Sequence, residues 1–227
     1  MPVPTLTYTA VLFDLDGTIV DSASGITDSL AHTYQRLGLP VPSPTKMLEW
    51  VGPPIMDSFR DLAGLDPEES LRALEIYRNH YLGSGNAFAP AYPGIVDVLS
   101  AIADAGIPLS LATSKPEGTA RAMLGQLGVA ELFTEITGST DDETRSRKAD
   151  VVAEALRRLA AGGADVSRPV MVGDRRHDIE GAAEHDVPTI FVTWGYGAPE
   201  ETVGAIAVVD TPAELLAALG LAEHAAA

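Results

Sequence analysis

Two aspartates one residue apart, Asp14 and Asp16, follow the apolar run Tyr8-Thr-Ala-Val-Leu-Phe13 and precede Gly17 and Thr18. A glycine there lets the chain turn sharply, so two carboxyl groups can flank one reacting atom. The chain has no cysteine and no Ser-His-Asp arrangement, which leaves a carboxylate as the natural nucleophile. Asp14 is expected to attack phosphorus in line and form an aspartyl-phosphate. Asp16 would protonate the leaving alkoxide and then deprotonate the water that hydrolyses the intermediate.

Three further polar clusters follow: Thr113-Ser114-Lys115, Lys148 at the head of a helical pattern, and Gly173-Asp174 through Asp178. Gathered in one pocket, Asp14, Asp16, Asp174 and Asp178 would repel one another unless protonation or a cation relieved them. All-oxygen ligation without His or Cys spacing points to a hard divalent ion, and Mg²⁺ is the usual choice for phosphate chemistry. Lys148 would add a second positive charge, and the hydroxyl and N–H groups around Thr113 would hold phosphoryl oxygens. Thr18, Ser114 and Lys115 are further candidates for substrate binding, and Arg60 for the substrate's far end. Each piece alone has a plainer reading. Asp-x-Asp-Gly-Thr can be a turn, Thr113-Ser114 a helix cap, Lys148 a solvated first-turn lysine, and Gly173 to Asp178 a capped turn. Their succession at strand ends is what favours a site.

The elements that must position these residues read as strands alternating with helices. Tyr8–Phe13, Pro108–Thr113, Leu132–Thr137, Val170–Val172, Thr189–Thr193 and Ala205–Val209 are expected strands. Helical patterns follow at Ala120 to Leu127 and at Lys148 to Ala160, and Thr211-Pro212-Ala-Glu214 reads as a capping box opening a last helix. This alternation implies an α/β, doubly wound parallel sheet, in which ligands sit beyond the carboxyl ends of the strands. One stretch departs from it. Residues 21–90 carry helical patterns and no strand, with Ile26, Leu30, Tyr34 and Leu37 on one face and Leu71, Leu74, Tyr77 and Tyr81 on another. Residues 1–20 and 91–227 are therefore expected to form the catalytic core and 21–90 a helical cap over the end of the first strand.

The 227 residues carry 15 Lys plus Arg against 32 Asp plus Glu, a formal charge of −17, which disfavours nucleic acid as a partner. No apolar run approaches the roughly 20 residues that span a bilayer. The start of the chain does not read as a signal peptide, and the lack of cysteine suits a reducing compartment, so a cytoplasmic monomer or homodimer is expected.

The motifs Asp14-Leu-Asp16-Gly17-Thr18, Thr113, Lys148 and Asp174 with Asp178, in order and over nearly the whole length, resemble the haloacid dehalogenase-like hydrolase superfamily. That resemblance implies Asp14 as nucleophile and Asp16 as acid/base. It also implies Mg²⁺ held by the Asp14 carboxylate, the Asp16 backbone carbonyl and Asp174, with Asp178 supporting the metal's waters or Lys148. The insertion is similar to the cap of the phosphoglycolate phosphatase-like branch, and Asp16 argues against dehalogenation. The stretches Val51-Gly-Pro-Pro-Ile55, Leu111-Ala-Thr-Ser-Lys-Pro116 and Thr144-Arg-Ser-Arg-Lys148 look like the bacterial 5′-nucleotidase-like group. A nucleoside 5′-monophosphate is thus expected over phosphoglycolate. Other readings are a phosphosugar mutase, a phospho-accepting receiver-like signalling module, and a phosphate-ligand binder without activity. A receiver carries its aspartate after a middle strand and has no helical lid.

Overall fold

The computed structural model describes residues 8–84 and 89–222. Side chains alternate across a strand, so the first strand, β1 (Ala10–Phe13), serves two apolar layers at once. Val11 and Phe13 enter one layer and Ala10 and Leu12 the other, and all four are fully buried. β1 pairs in parallel with β2 (Leu109–Pro116) on one side and β4 (Pro169–Gly173) on the other. With β3 (Glu135–Ser139), β5 (Thr189–Val192) and β6 (Ala207–Val209), the sheet has six parallel strands in the order β3-β2-β1-β4-β5-β6. Residues from α5 (Ile95–Asp104), α6 (Glu117–Gln126) and α9 (Pro212–Ala218) fill the layer of Val11. Residues from α7 (Lys148–Ala161) and α8 (Arg176–Ala183) fill that of Leu12. The strand order reverses between β1 and β4, which opens a crevice at their carboxyl ends, where Asp14 and Asp174 stand.

Between β1 and α5 the chain forms α1 (Ala23–Leu37), α2 (Pro44–Met47), α3 (Ile55–Asp61) and α4 (Pro67–Gly83). They enclose an apolar cluster of their own, with Ile26, Leu30, Tyr34, Trp50, Phe59 and Leu74. α1 ends at Gly38 in the left-handed conformation, and α4 opens on a reciprocal capping box between Asp66 and Glu69. The two passages between core and cap lie side by side. Val20 bridges to Ala91, the Asp21 N–H donates to the Pro90 carbonyl at 2.9 Å, and the Tyr92 N–H to the Ile19 carbonyl at 2.9 Å.

Several local expectations shift. β2 continues past Thr113 because, after an irregularity in register, Pro116 pairs with Ser139. Residues 130–132 form a 3-10 turn, so β3 begins at Glu135 rather than Leu132. Leu71 lies on the exposed side of α4, away from the cap's apolar cluster. The Thr211 hydroxyl accepts from the Glu214 N–H at 3.2 Å, but the Glu214 carboxylate accepts from Asp210 at 2.7 Å, so the box is not reciprocal. α5 and α8 were not anticipated, although Ile95, Val98, Leu99 and Ile102 stand at helical spacing; α8 opens on the polar run whose plainer reading was a capped turn.

Candidate active site

Asp14 sits where β1 ends, its N–H bonded to the Val172 carbonyl of β4 at 2.9 Å, so two strands fix its backbone. Lys148, the first residue of α7, reaches back into the crevice. Its Nζ lies 2.7 Å from Asp14 Oδ1, 2.7 Å from Asp178 Oδ1 and 3.1 Å from the Ala112 carbonyl. Asp178 belongs to the first turn of α8 and also accepts the Arg175 N–H at 3.0 Å. Asp174 follows β4 and is fully buried, receiving the Thr18 hydroxyl at 3.0 Å and the Tyr196 N–H at 2.8 Å. Oxygens of Asp14, Asp174 and Asp178 all lie within 4.8 Å of one another. Gly17, at φ +87, leaves the space this requires, because a Cβ there would collide with the Asp174 carboxylate.

The charges do not balance. Burial pushes the Asp14 carboxyl up to about 6; Lys148 opposes the rise and Asp178 adds to it. Burial, then the Asp178 and Asp14 charges, drive Asp174 well above the usual carboxylate range. Burial works against a charged Lys148, yet the two carboxylates beside it hold it above its ordinary value. Three buried carboxylates thus face one lysine, and Asp174 has only neutral donors. A hard, oxygen-seeking divalent cation such as Mg²⁺ fits this set.

The remaining expected residues divide. Thr113 is buried beside the cluster, its hydroxyl oxygen accepting the Lys115 N–H at 3.3 Å. The Asp16 carboxylate pairs with Lys115, whose Nζ lies 3.0 Å from each of its oxygens, and stands outside the group of three acids; the metal role expected of Asp16 belongs to its backbone carbonyl. Burial opposes the Lys115 charge, but Asp16 and the nearby Tyr81 and Tyr77 keep its pKa above the usual value. Ser114 lines the adjoining cavity, its hydroxyl without a hydrogen-bond partner. Thr18, expected to bind substrate, instead gives its hydroxyl to Asp174. Arg60, expected at the substrate's far end, is 62% exposed on α3 and pairs with Asp57 and Asp61, clear of the cavity-lining residues. Its helix presents Phe59 to the cap core, which turns the next residue outward.

Other contributors take roles the sequence did not indicate. The segment after β5 supplies the Tyr196 N–H to Asp174, and Trp194 Nε1 donates to the Thr18 carbonyl at 3.1 Å. The Tyr196 hydroxyl donates to Asp21 at 2.7 Å and accepts from the Ala23 N–H at 3.0 Å, tying Asp174 to the entry of the cap. Arg175 donates to the Val51 carbonyl of the cap and pairs with Glu201 at 3.0 Å. Trp194-Gly-Tyr196 follows a buried strand, so the signal of a strand's carboxyl end was available there, and Arg175 stands inside the Gly173–Asp178 run, where only the aspartates were given roles.

Residues 11–192 match the sequence profile described as haloacid dehalogenase-like hydrolase. The chain is 42% identical over 187 residues to a tyrosine-protein kinase, PtkA, of Mycobacterium tuberculosis, covering 82% of this chain and 62% of that protein's length. It is 33% identical over 196 residues to a 5′-nucleotidase of Pseudomonas aeruginosa, covering 86% and 87% of the two chains. Similarity to a phosphoglycolate phosphatase of Agrobacterium fabrum is 35% over 190 residues, covering 82% and 80%. Among solved structures, a predicted phosphatase from Clostridium acetobutylicum superposes with a TM-score of 0.88 at 35% identity, over 95% of this chain and 99% of that one. The profile match and the similarity over more than four-fifths of both chains, together with aspartates gathered at the β1–β4 crevice beneath a helical cap, establish that the chain belongs to the haloacid dehalogenase-like hydrolase family.

Proposed function

We propose that the protein is a phosphomonoesterase that works through an aspartyl-phosphate on Asp14. The reading rests on one observation above others: Lys148 holds Asp14 and Asp178 together at 2.7 Å each, within a buried set of three carboxylates at the switch of strand order. Asp14 attacks phosphorus and the bond to the alcohol oxygen breaks. Asp16, at the cavity mouth, supplies the proton that the departing oxygen takes. Water then attacks the aspartyl-phosphate, gives its proton to Asp16 and releases inorganic phosphate. Lys148 holds the Asp14 carboxylate in place, and the Thr113 hydroxyl would hold a phosphoryl oxygen. Asp14, Asp174 and the Asp16 carbonyl would hold Mg²⁺, which when bound offsets the charge of carboxylates and phosphoryl oxygens together.

The substrate on this reading is a small phosphorylated metabolite, with a nucleoside 5′-monophosphate favoured by the motif likeness and by the similarity to a 5′-nucleotidase. Phosphoglycolate is the alternative, supported by the similarity to a phosphoglycolate phosphatase. The 42% identity to a tyrosine-protein kinase favours a second reading, in which the same acids serve phosphoryl transfer to protein tyrosine. No helix among the described residues is long and apolar enough to cross a membrane, and we place the enzyme in the cytoplasm as a monomer or homodimer.

The test is hydrolysis of p-nitrophenyl phosphate with Mg²⁺ and with chelator. Asp14→Asn is expected to lower turnover on the order of a thousandfold or more, since an amide cannot act as the nucleophile. Activity in chelator equal to that with Mg²⁺, or an Asp14→Asn variant near parental rate, would overturn the proposal.

A further inference from the structure

A cavity of about 300 Å³ opens between cap and core directly beside Asp16. Its cap side is aromatic. Trp50, Tyr77 and Tyr81 line it, with the two tyrosine rings 5.6 Å apart and only 15° from parallel. Trp50 and Tyr81 are almost wholly buried, and Phe59 backs Trp50 edge-on at 5.2 Å, so the wall is rigid. Such faces reward flat unsaturated rings by stacking and apolar burial.

Charge selects in the same direction. Two cations line the cavity, and both are already matched. Lys115 lies 3.0 Å from each Asp16 oxygen and 4.8 Å above the Tyr81 ring. Arg78 pairs with Glu143 and donates to the Asp141 carbonyl at 2.9 Å. Glu143 and Asp16 answer these two cations one to one, so the lining offers no unmatched positive charge. A carboxylate on the leaving group would have to enter without a free partner, and that desolvation is costly. Size agrees: a two-carbon hydroxy acid displaces roughly three waters, or about 90 Å³ at 30 Å³ each, and would leave most of the cavity unfilled. Among the described residues the Ser114 hydroxyl on the lining has no hydrogen-bond partner, and the Tyr81 hydroxyl, only 4% exposed, has none beyond the nearby Lys115 ammonium. A buried hydroxyl left alone costs free energy that a polar ring edge would recover.

We infer that the cavity takes an uncharged, ring-bearing alcohol as the leaving group, that it rejects leaving groups carrying a carboxylate, and that Tyr81 and Tyr77 set this choice. The inference rests on the reading of the site as one that binds phosphomonoesters, and it narrows their class. Nucleoside 5′-monophosphates and simple aryl phosphates belong to it; phosphoglycolate does not.

Two measurements test it. In steady-state kinetics of the parent enzyme with Mg²⁺, kcat/KM for adenosine 5′-monophosphate and for phenyl phosphate should each exceed that for 2-phosphoglycolate by about tenfold or more, some 1.4 kcal/mol. Tyr81→Phe keeps the ring and removes the hydroxyl. It should weaken adenosine 5′-monophosphate, whose base has a polar edge, at least about threefold more than phenyl phosphate, whose ring has none. Calorimetric titration of the Asp14→Asn variant with the same three ligands gives the preference without turnover. A preference for 2-phosphoglycolate, or equal binding of all three, overturns the inference. If the parent hydrolyses none of them, the reaction assigned to Asp14 fails, and the calorimetric order still decides the leaving group.

Discussion

Asp174 and Asp178 look alike in sequence but meet different surroundings. Asp178 faces the Lys148 ammonium and closes the first turn of its own helix through the Arg175 N–H. Asp174 receives only a hydroxyl and an amide N–H, so its charge is left for a cation. Asp174→Asn is therefore expected to weaken Mg²⁺ binding about tenfold or more. Asp178→Asn should mainly lower kcat, because Lys148 loses one of its two anionic contacts. Calorimetric Mg²⁺ titration beside steady-state kinetics separates the two, and equal losses of Mg²⁺ affinity would contradict the division. Lys115 shows the same dependence on surroundings, since its partner is a carboxylate on another strand's exit loop.

Between β3 and α7 a short loop holds the cap against the core. Asp142 accepts the Thr144 N–H and hydroxyl at 3.1 and 2.7 Å, and the Arg145 N–H donates to the Thr140 hydroxyl at 3.1 Å. These bonds carry Glu143 in the left-handed region at φ 61, a conformation costing about 1 kcal/mol outside glycine. The loop thereby presents the Asp141 carbonyl and the Glu143 carboxylate to Arg78 of α4. Glu143→Gln removes the ion pair and keeps the shape. It should speed amide exchange in the C-terminal half of α4 and raise KM about threefold, near 0.6 kcal/mol for a half-buried pair. Hydrogen exchange by mass spectrometry with kinetics checks it; unchanged exchange in α4 would mean that this ion pair does not hold the lid.

The molecule as a whole carries a formal charge of −17 and concentrates buried carboxylates at one crevice, so its stability responds to protons and cations. Without a cation, burial holds the Asp14 carboxyl up at about 6, above its ordinary 3.8. Between those values the folded form keeps a proton that the unfolded chain has lost. Stability contributed by this group is accordingly present at low pH, falls as pH rises through the window, and levels off above about 6. The melting temperature in chelator should show that decline, the Asp14→Asn variant should show a shallower one because Asp174 is raised as well, and saturating Mg²⁺ should flatten it and raise Tm at neutral pH. A parental curve parallel to that of Asp14→Asn would exclude the assigned shift.

What the amino-acid sequence determined by itself was local. Apolar runs marked the strands, the left-handed stop at Gly38 and the capping box at Asp66 bounded cap helices, and Asp14-x-Asp16-Gly17 announced a turn after a buried strand. These signals are legible because periodicity and backbone geometry are set by neighbours in the chain. The pairings were decided only in three dimensions. Thr18 reaches Asp174 across 156 residues, Lys115 reaches Asp16 across 99, and Arg78 reaches Glu143 across 65. Which partner a buried charge takes follows from strand order and from how the cap seats on the sheet, because desolvated groups bond to whatever the packing brings within reach. The same packing turned Arg60 outward with its helix and made Tyr77 and Tyr81, read from their spacing as mere cap packing, the wall of the cavity.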